Sequence, residues 1–450
     1  MPWSLDSIRD CFEGAIPSVI ATCAPDGTPN VSYLSQVHYV DDAHVALSFQ
    51  FFNKTRGNVL ANPRAAVLVV DPATGARFRL AVRYVRTDTE GALFESMKAK
   101  LAGIASHTGM SGVFRLLGAD VYEVLAIESV PGPTLPAPPR RNLLPLVRAV
   151  AQRIAAATDL AALFDETLAA LERHFGIRYS MLLMADRRAG RLYSVASRGY
   201  ASSGVGAEIP FGSGVIGVAA RECTPIRIVH RTAEWGYGRA VRESAARGGM
   251  ADLLDTEIPL PGLPESRSQL AVPIVPANCL TGVLFVESSE DCRFGYEDDD
   301  ALVTVAAMLG AAIRNLQEGA EAADEPSSAP RSAAPVAGVP VTARHYALND
   351  SVFLDDDYLI KGVAGAILWK LLRDYVRDQR TDFSNRELRL DPSIRLPDLS
   401  DNLEARLLLL QRRLAERCKF LRIEKTGRGR FRLCVERPLQ LADVPAAGAA

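Results

Sequence analysis

Between Val45 and Val70 the chain reads VALSFQFFNKTRGNVLANPRAAVLVV, and Lys54, Thr55 and Arg56 stand where a strand gives way to a helix. Val45, Leu47 and Phe49 alternate with Ala46 and Ser48, the period of a half-buried strand. Asn53 to Arg56 then open a helical turn that Asn62-Pro63 closes, because proline cannot continue a helix. A helix start carrying Lys, Thr and Arg favours an anion, since free backbone N–H groups, the positive end of the helix dipole and two cationic side chains converge there. The plainer reading of the same residues is a set of solvated loop cations.

Other reactive side chains are sparse. No paired carboxylates, Ser-His-Asp set or nucleophile elbow is visible, so hydrolytic chemistry has no support. His38 and Tyr39 lie on a strand where a substrate would find access or where both are structural. The seven cysteines are scattered, with no C-x-x-C pair and no histidine at zinc-finger spacing, so neither a disulfide scaffold nor a zinc module is expected. Cys223 has Arg221 and Arg227 close in sequence, and neighbouring cations lower a thiol pKa; a half-buried structural cysteine is the competing reading.

The elements that must position these groups fall into three blocks. With 450 residues, 48% hydrophobic and 23% charged, the chain is too long for one core. The first residues, MPWSLDSIRDCF, show no secretory signal, and no segment reaches the roughly 18 apolar residues of a membrane span, so a cytoplasmic protein without membrane contact is expected. Net charge is −2, but Arg406 to Arg437 holds eleven Lys/Arg against three Asp/Glu. The basic charge is concentrated at one end. Pro131 to Arg141, PGPTLPAPPRR, reads as an extended spacer, and Glu318 to Thr342, rich in Ala, Pro, Ser and Glu, as a disordered linker. The expected organisation is a first domain over 1–130, a linker over 131–142, a second domain over 143–317, a linker over 318–343, a third domain over 344–437 and a tail over 438–450: a multidomain α+β chain.

In the first block, the Asp26-Gly27-Thr28-Pro29 turn, the Asp41-Asp42 hairpin, the basic turn at Lys54 to Arg56 and the N-x-x-x-N-P phrase from Asn58 to Pro63 follow in order. Over about Ile8 to Val130 this resembles the FMN-binding split barrel of the pyridoxamine 5'-phosphate oxidase-like superfamily. The resemblance implies an antiparallel split β-barrel, a homodimer with flavin at its interface, and Ser48, Lys54, Thr55, Arg56 and Asn58 as FMN contacts. This chain carries Thr55 where many members place lysine, with Lys54 one position earlier.

The second block opens with apolar residues at helical spacing from Leu143 to Phe175, broken at Thr158-Asp159, so two amphipathic helices are expected. Strands at Tyr179 to Ala185 and Leu192 to Ser197, the phrase I-P-x-G-x-G-x-x-G from Ile209 to Gly217, buried strands LAVPIV and TGVLFVES, and a helix from Glu297 to Leu316 follow. Over about Leu143 to Leu316 this resembles a GAF domain, an α/β sandwich on an antiparallel sheet that implies a small-molecule ligand of unknown identity. Trp235, Tyr237 and Arg239, with Arg242 and Met250, mix aromatic and cationic groups in His230 to Ser268, where a pocket lid would lie; they suit an anionic or planar ligand, or else anchor a surface loop.

The third block has short strands about Val352 to Leu354 and Tyr358 to Ile360, a helix from Gly362 to Arg380, the short helix NRELRL, the helix NLEARLLLLQRRLAER, and a hairpin turning at Gly427 to Gly429. With Ser400-Asp401-Asn402 before the long helix and Thr426 to Phe431 as the hairpin tip, it resembles the winged-helix output domain of response regulators. That implies DNA as partner, with Glu404, Arg406, Gln411, Arg412 and Arg413 on the reading helix and Lys425, Arg428 and Arg430 on the wing. The run Leu407 to Leu410 exceeds what one buried helix face needs and fits a protein interface instead. Together the resemblances imply a one-component regulator coupling flavin and GAF sensing to transcription, with an FMN-dependent oxidoreductase, or a scaffold without cofactor, as alternatives.

Overall fold

The computed structural model describes residues 3–12, 16–34, 36–49, 54–107, 115–137, 139, 141–228, 258–322, 338–394, 403–427 and 429–444. Trp235, Tyr237, Arg239, Arg242, Met250 and Arg428, the Ser400-Asp401-Asn402 phrase and most of the expected second linker lie outside the described residues.

The first module is a seven-stranded antiparallel sheet. Its strands are β1 (Ser18–Cys23), β2 (Pro29–Leu34), β3 (Val37–Tyr39), β4 (His44–Phe49), β5 (Arg64–Val70), β6 (Arg77–Asp88) and β7 (Gly118–Val130), in the order β2-β1-β5-β6-β7-β4-β3. The Asp26-Gly27 turn joins β1 to β2 because Gly27 takes φ +87° at no steric cost and the Asp26 carboxylate accepts the Thr28 N–H at 2.9 Å. Two register shifts between β6 and β7 bend this long pair. Helix α1 (Lys54–Ala61) connects β4 to β5, and α2 (Ala92–His107) connects β6 to β7.

The second module carries six antiparallel strands: β8 (Tyr179–Asp186), β9 (Arg191–Arg198), β10 (Glu208–Pro210), β11 (Ile226–Ile228), β12 (Ser268–Ile274) and β13 (Gly282–Ser288), in the order β10-β9-β8-β13-β12-β11. The side-chain alternation of a strand divides its apolar residues between two layers. Leu182, Met184, Val272 and Leu284 face α3 (Leu144–Ala156), α4 (Leu160–Ala170) and α6 (Tyr296–Ala322). Met181, Leu183, Ala271 and Val283 face α5 (Gly214–Glu222). Asp159 caps α4 by accepting the Ala162 N–H at 3.0 Å. The glycine phrase before α5 also has a steric cause: Gly212 and Gly214 take φ +84° and +60°, and a Cβ on Gly217 would lie 2.3 Å from the Pro210 carbonyl oxygen.

The third module pairs two sheets around three helices. β14 (Val341–Tyr346), β15 (Ser351–Leu354), β16 (Asp357–Ile360) and β20 (Leu439–Val444) form the order β16-β15-β14-β20. β17 (Asp382–Ser384), β18 (Leu421–Gly427) and β19 (Arg430–Val435) form β17-β19-β18. Between them run α7 (Gly362–Asp378), α8 (Asn385–Leu390), started by a Ser384/Glu387 capping box, and α9 (Leu403–Arg417). Three boundaries differ from expectation. Residues assigned to the tail form β20, which lies parallel to β14 in an unbroken register from Val341–Leu439 to Tyr346–Val444. The alternation in VTARHY, with Val341, Ala343 and His345 buried, makes Val341 and Thr342 strand rather than linker, and α6 continues to Ala322.

The modules share cores. Ala99 of α2 packs among the α5-side residues of the second module, and one continuous apolar cluster runs from Leu143 through the second module to Leu433 in the third. No described helix is long and apolar enough to cross a membrane.

Candidate functional site

At the basic turn, a polar set lays α1 across β1 and β2. The Thr55 hydroxyl lies 2.9 Å from Asn30 Nδ2 and 2.7 Å from the Ser32 hydroxyl, and Asn58, buried, donates to the Thr22 hydroxyl at 3.2 Å. Lys54 is exposed at the first turn and Ser48 is half-buried on β4. Arg56 stacks 3.8 Å over the Phe49 ring, and its Nη1 meets both oxygens of Asp120 at 2.7 and 2.9 Å while Nη2 donates to Thr87 at 3.2 Å. The structure thus brings the five expected residues to one end of the sheet and adds Asp120. Its signal in the sequence is weak: an acid, followed three residues later by Glu123, in the otherwise apolar strand GADVYEV.

A second polar cluster lies where the first and second modules meet. Tyr296, buried at the start of α6, donates its hydroxyl to the Phe12 carbonyl at 3.4 Å. Arg227 and Arg9 lie 4.1 and 4.3 Å from its ring centre, and Lys100 lies 5.8 Å away. Arg9 pairs with Asp300 at 3.2 Å and Arg227 with Asp299 at 3.5 Å. His38 faces this cluster; desolvation, then Lys100, Arg9 and Arg227, hold its pKa well below the usual histidine range. Asp299 is shifted upward, chiefly by burial. This cluster escaped the sequence reading because its members come from segments far apart in the chain.

Cys223 does not have the lowered pKa that its neighbours in sequence could give it. Its pKa is raised, first by desolvation and then by Glu222, because Arg221 turns to Glu222 at 2.8 Å and Arg227 turns inward to the Phe294 carbonyl at 3.2 Å. Proximity in sequence did not become proximity of charge.

The third-module residues divide sharply. Arg406 and Arg413, expected to face nucleic acid, are buried, 4% exposed each. Arg406 Nη2 lies 2.6 Å from Asp186 Oδ2 in the second module, and its guanidinium stacks 3.9 Å over Tyr193. Arg413 donates to the Leu359 carbonyl of its own module at 2.8 Å. Arg412 donates to the Val195 carbonyl and to Asp165, both at 2.8 Å. The helix is therefore covered on two sides, and Leu407, Leu408, Leu409 and Leu410 are all buried. Beside the contact a cavity of about 560 Å³ is lined by Arg412, Lys425, Arg430, Asp159, Leu408 and Phe431, among others.

Comparison with known proteins agrees with this division for two of the three modules. The model of the pyridoxamine 5'-phosphate oxidase family matches residues 4–126, and that of the GAF domain matches residues 157–314. No curated protein matches the chain. Among solved structures, the GAF domain of the Acinetobacter phosphoenolpyruvate-protein phosphotransferase is 20% identical over 40% of this chain and 96% of its own, with a TM-score of 0.31. Free methionine-R-sulfoxide reductase from Neisseria meningitidis is 22% identical over 39% of this chain and 89% of its own, at 0.30. An FMN-binding protein from Syntrophomonas wolfei is 17% identical over 28% of this chain and 88% of its own, at 0.23. The chain joins a domain of the pyridoxamine 5'-phosphate oxidase family, residues 4–126, to a GAF domain, residues 157–314.

Proposed function

We propose that the protein is a one-component sensory regulator in which a flavin-loaded barrel and a ligand-binding GAF domain bias a DNA-binding winged-helix module. The observation that carries this reading is the central position of the GAF domain. It packs on α2 of the barrel through Ala99 and on α9 of the third module through the continuous core. A change in either sensor therefore acts on contacts that the output module also uses, and ligands shift populations between docked and released states.

The residues at α1 suit a phosphate. Lys54, Arg56 and the helix start supply positive charge, and Thr55 and Ser48 supply hydroxyls; Asp120 is the opposing group, which FMN phosphate would replace as the partner of Arg56. Bound FMN would supply electron and hydride transfer, the redox change that such a sensor reads. Val31 and Tyr33 on β2, 67% and 81% exposed, favour a second copy of the chain across that face. Trp235, Tyr237 and Arg239 are the GAF-ligand residues of this proposal. The Gly362-to-Val435 order of helix, strand, helix, helix and hairpin supports a winged helix, and Arg412, Lys425, Arg428 and Arg430 are the DNA contacts of this proposal.

Mass spectrometry of small molecules released by heating the purified protein tests the sensor half. FMN in the supernatant is expected, and a colourless protein that takes up no added FMN would overturn it. For the output half, Arg412→Ala with Arg430→Ala is expected to weaken binding to DNA from upstream of the protein's own gene and to flatten its salt dependence. Unchanged affinity overturns that assignment.

A further inference from the structure

The contact between α9 and the GAF domain has a consistent charge polarity. Four ion pairs among the described residues cross this seam: Arg406–Asp186 at 2.6 Å, Arg412–Asp165 at 2.8 Å, Lys361–Glu208 at 3.4 Å and Lys425–Asp159 at 3.6 Å. In each of these the cation belongs to the third module and the carboxylate to the GAF domain. The Val195 carbonyl extends the same polarity by accepting from Arg412. Acceptors set against the arginines of α9 and the lysine of its hairpin are what a nucleic-acid backbone presents to such a surface.

We propose that the GAF face formed by Asp159, Asp165 and Asp186 is an interaction surface that substitutes for a polyanion on α9 and its hairpin, so that nucleic acid and the GAF domain compete for one set of cations. This rests on the reading of the third module as a DNA-binding unit. The competition is steric as well as electrostatic. Arg406 is enclosed by Asp186 and Tyr193, and Leu409 lies against the Gly206 turn of the GAF domain, so a duplex cannot reach this side of α9 while the contact holds. The seam is also built to open. Asp165 is 66% exposed and Lys425 54%, and the cavity beside them leaves Arg412 and Arg430 on a wall rather than in a close-packed interior. Such peripheral pairs are weak and screened by salt, whereas the buried Arg406–Asp186 pair sets position.

Two variants of the full chain test this, each read by hydrogen exchange of α9 and by fluorescence anisotropy with a mixed-sequence duplex DNA at low salt. Asp159→Asn and Asp165→Asn together remove peripheral charge, and the side-chain amide oxygen introduced at position 159 still caps α4. Asp186→Asn removes the buried partner. Faster exchange in α9 with affinity for the duplex raised about tenfold or more supports the competition. Unchanged exchange in both variants overturns the clamp. Faster exchange with affinity equal to wild type, where wild type binds DNA, overturns the competition and leaves the DNA reading standing. Faster exchange with no duplex binding by any form overturns the DNA reading itself, and the competition with it.

Discussion

Asp186, the last residue of β8, and Arg406, in the first turn of α9, are 220 residues apart in sequence and 2.6 Å apart in space, and both side chains are buried. A buried charge that loses its partner is costly, so Asp186→Asn is expected to destabilise the protein by ~3–5 kcal/mol. Asp165→Asn, which removes an exposed partner of Arg412, is expected to cost ~0–1 kcal/mol. Urea unfolding followed by circular dichroism separates the two; equal effects would place the energy of the seam elsewhere.

At the basic turn, Lys54→Ala is expected to weaken FMN about tenfold and to leave riboflavin affinity unchanged, because Lys54 is assigned to the phosphate. Flavin fluorescence quenching measures both. An equal loss for riboflavin would move Lys54 away from the phosphate.

Gly217 cannot gain a side chain without displacing the Pro210 carbonyl, which its Cβ would approach to 2.3 Å. Gly217→Ala is expected to cost ~1–3 kcal/mol, the scale of overpacking. Gly190→Ala serves as the contrast: its φ of +63° is unfavourable, but its Cβ would meet open space, whereas Gly217 has an ordinary helical backbone and no space. A thermal melt that ranks Gly190→Ala as the more damaging would contradict the steric account.

The interface between barrel and GAF domain should weaken in acid. His38 has a folded-state pKa well below its unfolded value near 6.5, so below about pH 6.5 the unfolded chain binds a proton that the folded chain refuses. Stability from this group is therefore full above that pH and falls as pH drops toward the depressed folded value. Asp299 acts oppositely: its raised pKa makes the folded state the better proton binder at pH values above the unfolded aspartate value near 3.8. Arg9, Lys100 and Arg227 are the cations that face His38 and oppose its protonation. Melting temperatures from pH 7.5 to 5.5 are expected to fall in the wild type and to flatten in His38→Gln. Parallel profiles would assign the acid sensitivity to other groups.

Local patterns determined much of this protein from sequence alone. Period-2 alternation located β4, short apolar runs located β8, β9, β12 and β13, the Asp26-Gly27 and Asn62-Pro63 signals located turns, and the phrase NRELRL marked α8, because each depends on neighbours within a few residues. Tertiary structure decided which charges meet. Arg227 lies near Cys223 in sequence yet turns to Tyr296 and Asp299, Arg56 finds Asp120 from β7, and Arg406 finds Asp186 from another module. The leucine run Leu407 to Leu410 signalled an excess of apolar surface, but only the fold showed it covered by its own module on one side and by the GAF domain on the other. Coulombic and hydrophobic contacts form wherever the folded backbone brings surfaces together, and separation along the chain carries no record of that.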